Sequence, residues 1–125
     1  MVQQISDSEM ELMHIIWAKG GSILYAELAE ELSQMGKTWQ KNTIITLLAR
    51  LVDKELLTTN KIGRRNRYTA LISEMEYQSN QTDHFLQKLY GGDAKGLVSM
   101  LIQKDKITPK DYEELKEFWE KRKWD

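Results

Sequence analysis

At Leu56 the spacing of apolar residues changes from helical to strand-like, and that switch limits the fold more than any other feature of the chain. Upstream, Ile44, Leu47, Leu48 and Leu51 recur at i, i+3, i+4 and i+7, the signature of one buried helical stripe. Downstream, LLTTNKI and RYTAL are short and rich in Thr, Ile and Tyr, and they flank the turn-forming stretch Gly63-Arg64-Arg65-Asn66, so they predict a β-hairpin. Two further helices precede the stripe. Ser6-Asp7-Ser8-Glu9 has the form of a capping box, opening a helix expected to reach about Lys19, where Gly20-Gly21 ends it. Tyr25, Leu28, Ala29 and Leu32 predict a second helix stopping near Gly36, and Thr38 is placed to cap the third. Three helices followed by a hairpin is the order of a winged helix-turn-helix, in which the third helix enters the major groove of DNA and the hairpin lies along the backbone.

Beyond Leu71 the chain reads as helical again. Ser73 and Glu76 suggest a second capping box, opening a helix to about Tyr90 that Gly91-Gly92 breaks. Ala94 to Lys104 forms another helix with Leu97, Val98, Leu101 and Ile102 as its apolar face, and Thr108-Pro109 starts a last one through Tyr112, Leu115 and Trp119. These narrow stripes cannot close a core alone. They call for a second copy of the tail in a two-fold homodimer, the alternative being that they fold back onto the winged domain. The expected fold class is therefore mainly α with a small β-wing: a winged helix-turn-helix DNA-binding domain over residues 1–71 and a helical dimerisation domain over residues 72–125.

Composition removes several function classes. The 125 residues include no cysteine, which excludes disulfides, a thiolate nucleophile and Cys-type zinc sites. No apolar run approaches the roughly 20 residues of a membrane span and the start lacks a leader pattern, so a soluble cytoplasmic protein without membrane insertion is expected. The net charge of −1 hides a strong asymmetry. Residues 1–35 sum to −5 and residues 71–125 to −2, whereas residues 36–70 carry eight basic side chains against Asp53 and Glu55, a local charge of +6. A basic middle between acidic flanks suits one face to a polyanion.

Within that middle the residue types divide by role. Opposite the buried stripe of the third helix lie Asn42, Thr46, Ala49 and Asp53, flanked by Thr43, Ile45 and Arg50. An Asn can bond an adenine edge bidentately, and a Thr offers a hydroxyl and a methyl to a thymine. Lys41, Arg50, Lys61, Arg64, Arg65 and Arg67 suit phosphates, where they supply affinity and position rather than sequence choice. An enzyme finds no support. Only His14 and His84 are present, far apart, and the carboxylates sit at helix starts or on solvent faces. No catalytic residue, metal ligand or cofactor is expected, and Trp17, Trp39, Trp119 and Trp124 read as structural.

The stretches ISDSEMELMHIIW, TIITLLARLVDKELL and GRRNRYTAL resemble the penicillinase-repressor family of bacteria, the BlaI/MecI/CopY group. The resemblance extends through the tail segment FLQKLYGGDAKGLVSMLI. It implies a dimeric winged-helix repressor of palindromic double-stranded operators, commonly built around TACA/TGTA, upstream of β-lactamase or copper-export genes. It also implies that Gln40 to Thr46 is the base-reading stretch, with Gln40, Asn42, Thr43 and Thr46 at reading positions. Relatives linked to β-lactams are inactivated when a membrane sensor-protease system leads to cutting at an Asn-Phe bond in the tail. The corresponding bond here is Met100-Leu101, approached by Gly91, Gly92 and Gly96, which suggest flexibility. The paired cysteines of copper-responsive members are absent, and Ile45 stands where some relatives carry a basic residue. Release by proteolysis and control of β-lactam resistance genes are the leading expectations. The alternatives are a winged-helix protein-interaction module working through its acidic first two helices, and a repressor of another regulon with a non-proteolytic inducer.

Overall fold

A computed structural model describes residues 4–124. The elements follow in the order α1 (Asp7–Ala18), β1 (Ser22–Leu24), α2 (Tyr25–Gln34), α3 (Lys41–Asp53), β2 (Leu57–Ile62), β3 (Arg65–Ala70), α4 (Glu74–Tyr90), α5 (Ala94–Gln103) and α6 (Pro109–Trp124). The chain divides into two compact units, one ending at Gln81 and the other beginning at Thr82, so the division falls within α4.

The first unit is the winged helix expected from the sequence, with one strand that the periodicity did not announce. β1 pairs antiparallel with β3, and β3 with β2, giving the strand order β1-β3-β2. Three residues are too few to show a period of two, and only tertiary pairing makes Ser22–Leu24 a strand. Ile23 then sits opposite Tyr68, and both face the core. The hairpin turn is tighter than the expected four-residue stretch. Ile62 pairs with Arg65, leaving Gly63 and Arg64 as a two-residue loop, and Gly63 takes the positive φ of 64° that the first position of a type II′ turn requires.

The core gathers Leu12, Met13 and Ile16 of α1, Leu28 and Leu32 of α2, Leu48 and Leu51 of α3, and Leu56 and Leu57 at the start of the hairpin, all essentially inaccessible. Each such side chain contributes about 1.5–3 kcal/mol relative to remaining exposed. α1 starts as expected: Ser6 Oγ accepts from Glu9 N–H at 3.2 Å and Glu9 Oε1 accepts from Ser6 N–H at 3.1 Å. At α3 the expectation fails by two residues. Its cap is Gln40, in extended geometry and without a side-chain cap bond, so Thr38 remains in the preceding loop.

The compact unit continues past Leu71 because the first half of α4 packs onto α1. Tyr77 is buried and lies 5.8 Å from the Trp17 ring, and Trp17 Nε1 donates to Ile72 O at 2.9 Å. Beside them, at the surface, His14 Nδ1 lies 3.3 Å from Glu74 Oε2. Trp17 is thus structural, as the sequence suggested. At the start of α4, Ser73 Oγ accepts from Glu76 N–H at 3.1 Å, while the Glu76 carboxylate returns to the Ser73 hydroxyl instead of the backbone.

The second unit comprises the remainder of α4 with α5 and α6. Gly91 and Gly92 close α4 with φ of 58° and 87°. Gly96, read from the sequence as part of a flexible approach, lies in the first turn of α5, where its N–H donates to Asp93 Oδ1 at 3.0 Å. Thr108 and Asp111 cap α6 reciprocally, the Asp111 N–H bonding Thr108 Oγ1 at 3.1 Å and the Thr108 N–H bonding Asp111 Oδ2 at 2.9 Å, with Pro109 at the first helical position. Among the described residues, none of 82–122 is buried. Leu89, Ile102, Leu115 and Phe118 are all more than half exposed, and Trp119 is 68% exposed. The side chain of Trp124 lies outside the described residues.

Candidate nucleic-acid interface

α3 buries Ile44, Leu47, Leu48 and Leu51, and this orientation fixes what it offers to a groove. Asn42, Thr43 and Thr46 are exposed together and line a shallow depression with Leu47 and Arg50. Three of the four expected reading residues therefore share one surface. Gln40, the fourth, is exposed at the cap. Thr46 differs in detail from the expectation: its hydroxyl donates to Asn42 O at 2.8 Å. Its proton is engaged within the helix, so toward a partner it presents an acceptor lone pair and a methyl group.

On the neighbouring side of the helix a second cleft lies between α3, the start of α2 and the wing. Lys41 and Ile45 line it from α3, Arg64, Arg65 and Asn66 from the hairpin, and Tyr25 from α2. The Lys41 ammonium lies 5.8 Å from the centre of the Tyr25 ring, which favours a cation over the aromatic face. The sequence reading placed Tyr25 in the buried stripe of α2. It is instead half-buried, since the unforeseen β1 strand ends at Leu24 and starts α2 with Tyr25 beside the wing.

Two of the eight basic residues of the middle segment are held within the fold. Lys54 bonds the buried Glu9, and Lys37 lies 3.5 Å from Glu11 Oε1 and 5.6 Å from the Trp39 ring. Trp39 therefore has a structural contact. The other six are Lys41, Arg50, Lys61, Arg64, Arg65 and Arg67, and among the described residues none of them forms an ion pair. They are not all brought together. Arg50 joins the depression with Asn42, and Lys41, Arg64 and Arg65 share the second cleft. Lys61 is exposed opposite Asn66, while Arg67 is half-buried at the middle of the central strand, opposite Leu24 and Asn60, with its Nε buried and unpartnered. Met100 and Leu101 lie within α5, Met100 exposed and Leu101 half-buried.

A helix-turn-helix whose third helix projects uncharged polar side chains, flanked by a hairpin bearing exposed arginines, defines the winged helix-turn-helix class. The chain belongs to the penicillinase repressor family, whose sequence model matches residues 5–121. It is 36% identical over 122 residues to the penicillinase repressor of Bacillus licheniformis, covering 98% of this chain and 94% of that one. With the methicillin resistance regulatory protein MecI of Staphylococcus aureus strain N315 it shares 32% identity over 122 residues, 95% of each chain. The solution structure of the DNA binding domain of the repressor BlaI superimposes with a TM-score of 0.54 at 44% identity, over 62% of this chain and 92% of that one. The Bacillus licheniformis BlaI monomeric form in complex with the blaP half-operator gives a TM-score of 0.52 at 42% identity over the same shares. The family is one of transcriptional repressors, not of enzymes, and this chain is a DNA-binding repressor of that type.

Proposed function

We propose that this repressor acts as a homodimer on a palindromic duplex operator, with α3 of each copy in a major groove and each wing on the adjacent backbone. One observation carries the assignment of roles. Uncharged Asn42, Thr43 and Thr46 surround one depression, while Lys41, Arg64 and Arg65 converge on the neighbouring cleft, so base-reading and phosphate-gripping chemistry stand side by side. Arg50 grips at the far side of the reading surface, and Lys61 and Arg67 add positive potential along the hairpin. Gln40 contributes from the cap.

The tail, residues 72–125, is proposed to hold the dimer, supported by the exposed Leu89, Ile102, Leu115, Phe118 and Trp119. The relative solved on a half-operator supports the same reading, since a half-site is one copy's share of a two-fold operator. Control of β-lactam resistance genes is part of the proposal, supported by the penicillinase and methicillin-resistance relatives, and a TACA/TGTA core is the operator to try first. Release through a sensor-protease system acting near Met100-Leu101 belongs to the same proposal. No helix among the described residues is long and apolar enough to cross a membrane, which fits a cytoplasmic site of action. The reading is tested by selecting duplexes from a random pool with the purified full chain. Recovery of a palindrome with half-sites about one helical turn apart supports it, and recovery of no common sequence contradicts it.

A further inference from the structure

We infer that Ile45 reads the C5 methyl of a thymine at the edge of each half-site, a finer assignment that rests on the operator-binding role proposed above. Ile44 and Ile45 are neighbours on α3, yet their fates differ: Ile44 is 4% exposed and Ile45 is 41% exposed. Ile45 therefore leaves much of its apolar surface in water, unlike Ile44. Its surroundings specify what could cover it. Ile45 follows Lys41 by one helical turn, and both line the cleft that Arg64 and Arg65 border from the wing and Tyr25 from α2.

Three cations around an apolar spot call for an occupant that is anionic outside and apolar inside. DNA supplies both at one place. The thymine methyl projects from the major-groove edge beside the phosphodiester backbone, and it is the one strongly apolar group that a base presents there. With phosphates on Lys41, Arg64 and Arg65, Ile45 faces the border between groove and backbone. Asn42 and Thr46 occupy the adjoining depression. Burying one methyl corresponds to about a four-fold change in affinity. Packing against a deoxyribose would also cover Ile45, but it would be blind to the base.

The experiment uses the full chain and the duplex it selects from the random pool, with each thymine replaced in turn by deoxyuridine, which removes only the methyl. The expected result is a loss of about four-fold at one thymine in each half-site. Ile45→Ala should bind the unmodified duplex more weakly and lose the thymine-deoxyuridine difference at that position, while Ile45→Val should retain it. Thermal melting of both variants shows whether they remain folded, as expected for an exposed position. If no thymine responds, or if Ile45→Ala keeps the full response, the inference is wrong while operator binding stands. If the full chain selects no duplex at all, the operator-binding reading fails and this inference falls with it.

Discussion

The ammonium of Lys54 lies 3.0 Å from both carboxylate oxygens of Glu9, a side chain only 2% exposed. The same ammonium reaches Gln4 O at 3.4 Å. The residue that caps the end of α3 is thereby tied to the start of α1, which holds the far end of the recognition helix in place. Replacing Lys54 by Met leaves a buried carboxylate without its partner and should cost about 3 kcal/mol of stability at neutral pH, measured by urea denaturation. DNA binding by the folded variant should keep its salt dependence, because the Lys54 ammonium is engaged by Glu9 within the fold.

Acid should weaken the fold through Glu9 as well. Burial pushes the Glu9 carboxyl up, but the backbone and hydroxyl bonds of Ser6 together with Lys54 outweigh it and hold Glu9 below its ordinary 4.5. Asp111 is also lowered, by the backbone and then the side chain of Thr108. A carboxyl depressed in the folded state contributes stability that is present above its unfolded value and lost as pH falls through its folded value. Unfolding free energy should therefore decline below about pH 4.5. Glu9→Gln should be less stable at neutral pH and show a shallower acid decline. An unchanged decline would remove Glu9 from the account.

Reading and gripping should separate by mutation. Asn42→Ala is expected to cost roughly 1–3 kcal/mol on the selected operator and to relax base preference at one position. Arg64→Ala or Arg65→Ala should weaken operator and random duplex about equally, and should lower the slope of log K against log salt by about 0.9 for each phosphate that is no longer neutralised. Filter binding or fluorescence anisotropy over a range of salt resolves both effects.

Much of this was legible because helical and strand periods are strong signals. Ile44, Leu47, Leu48 and Leu51 define a stripe, and the stripe alone determines the exposed face carrying Asn42 and Thr46. The rest depended on tertiary context. Ser22–Leu24 becomes a strand only because β3 runs beside it, and that pairing sets Tyr25 at the margin of the core, where it also lines the cationic cleft. Arg67 could not be told from Arg65 by sequence, yet the ladder places it between Leu24 and Asn60. Gly96 has the look of a hinge residue in the sequence, but Asp93 bonds its N–H and fixes it in the first turn of α5.

Removing the end of the tail should abolish the proposed dimer. Truncation after Met100 removes α6 and the end of α5, and the shortened chain should be monomeric by light scattering at micromolar concentration. Two linked domains see the second half-site at high effective concentration, so operator affinity should fall by about 10² to 10⁴ while the reading surface is untouched. On the proposed route of release, a protease acting at Met100-Leu101, inside α5, must open that helix first. Substituting Gly within α5 should speed cutting. A dimeric truncated chain that holds the operator as tightly as the full protein would contradict this account.

Sequence-specific repression is decided by the affinity of the full chain for its selected operator and for a scrambled duplex of equal length, measured across a salt series. A preference for the operator of at least about 10³ is expected, with both affinities falling steeply as salt rises. Equal affinity for the two duplexes, or binding indifferent to salt, would contradict it.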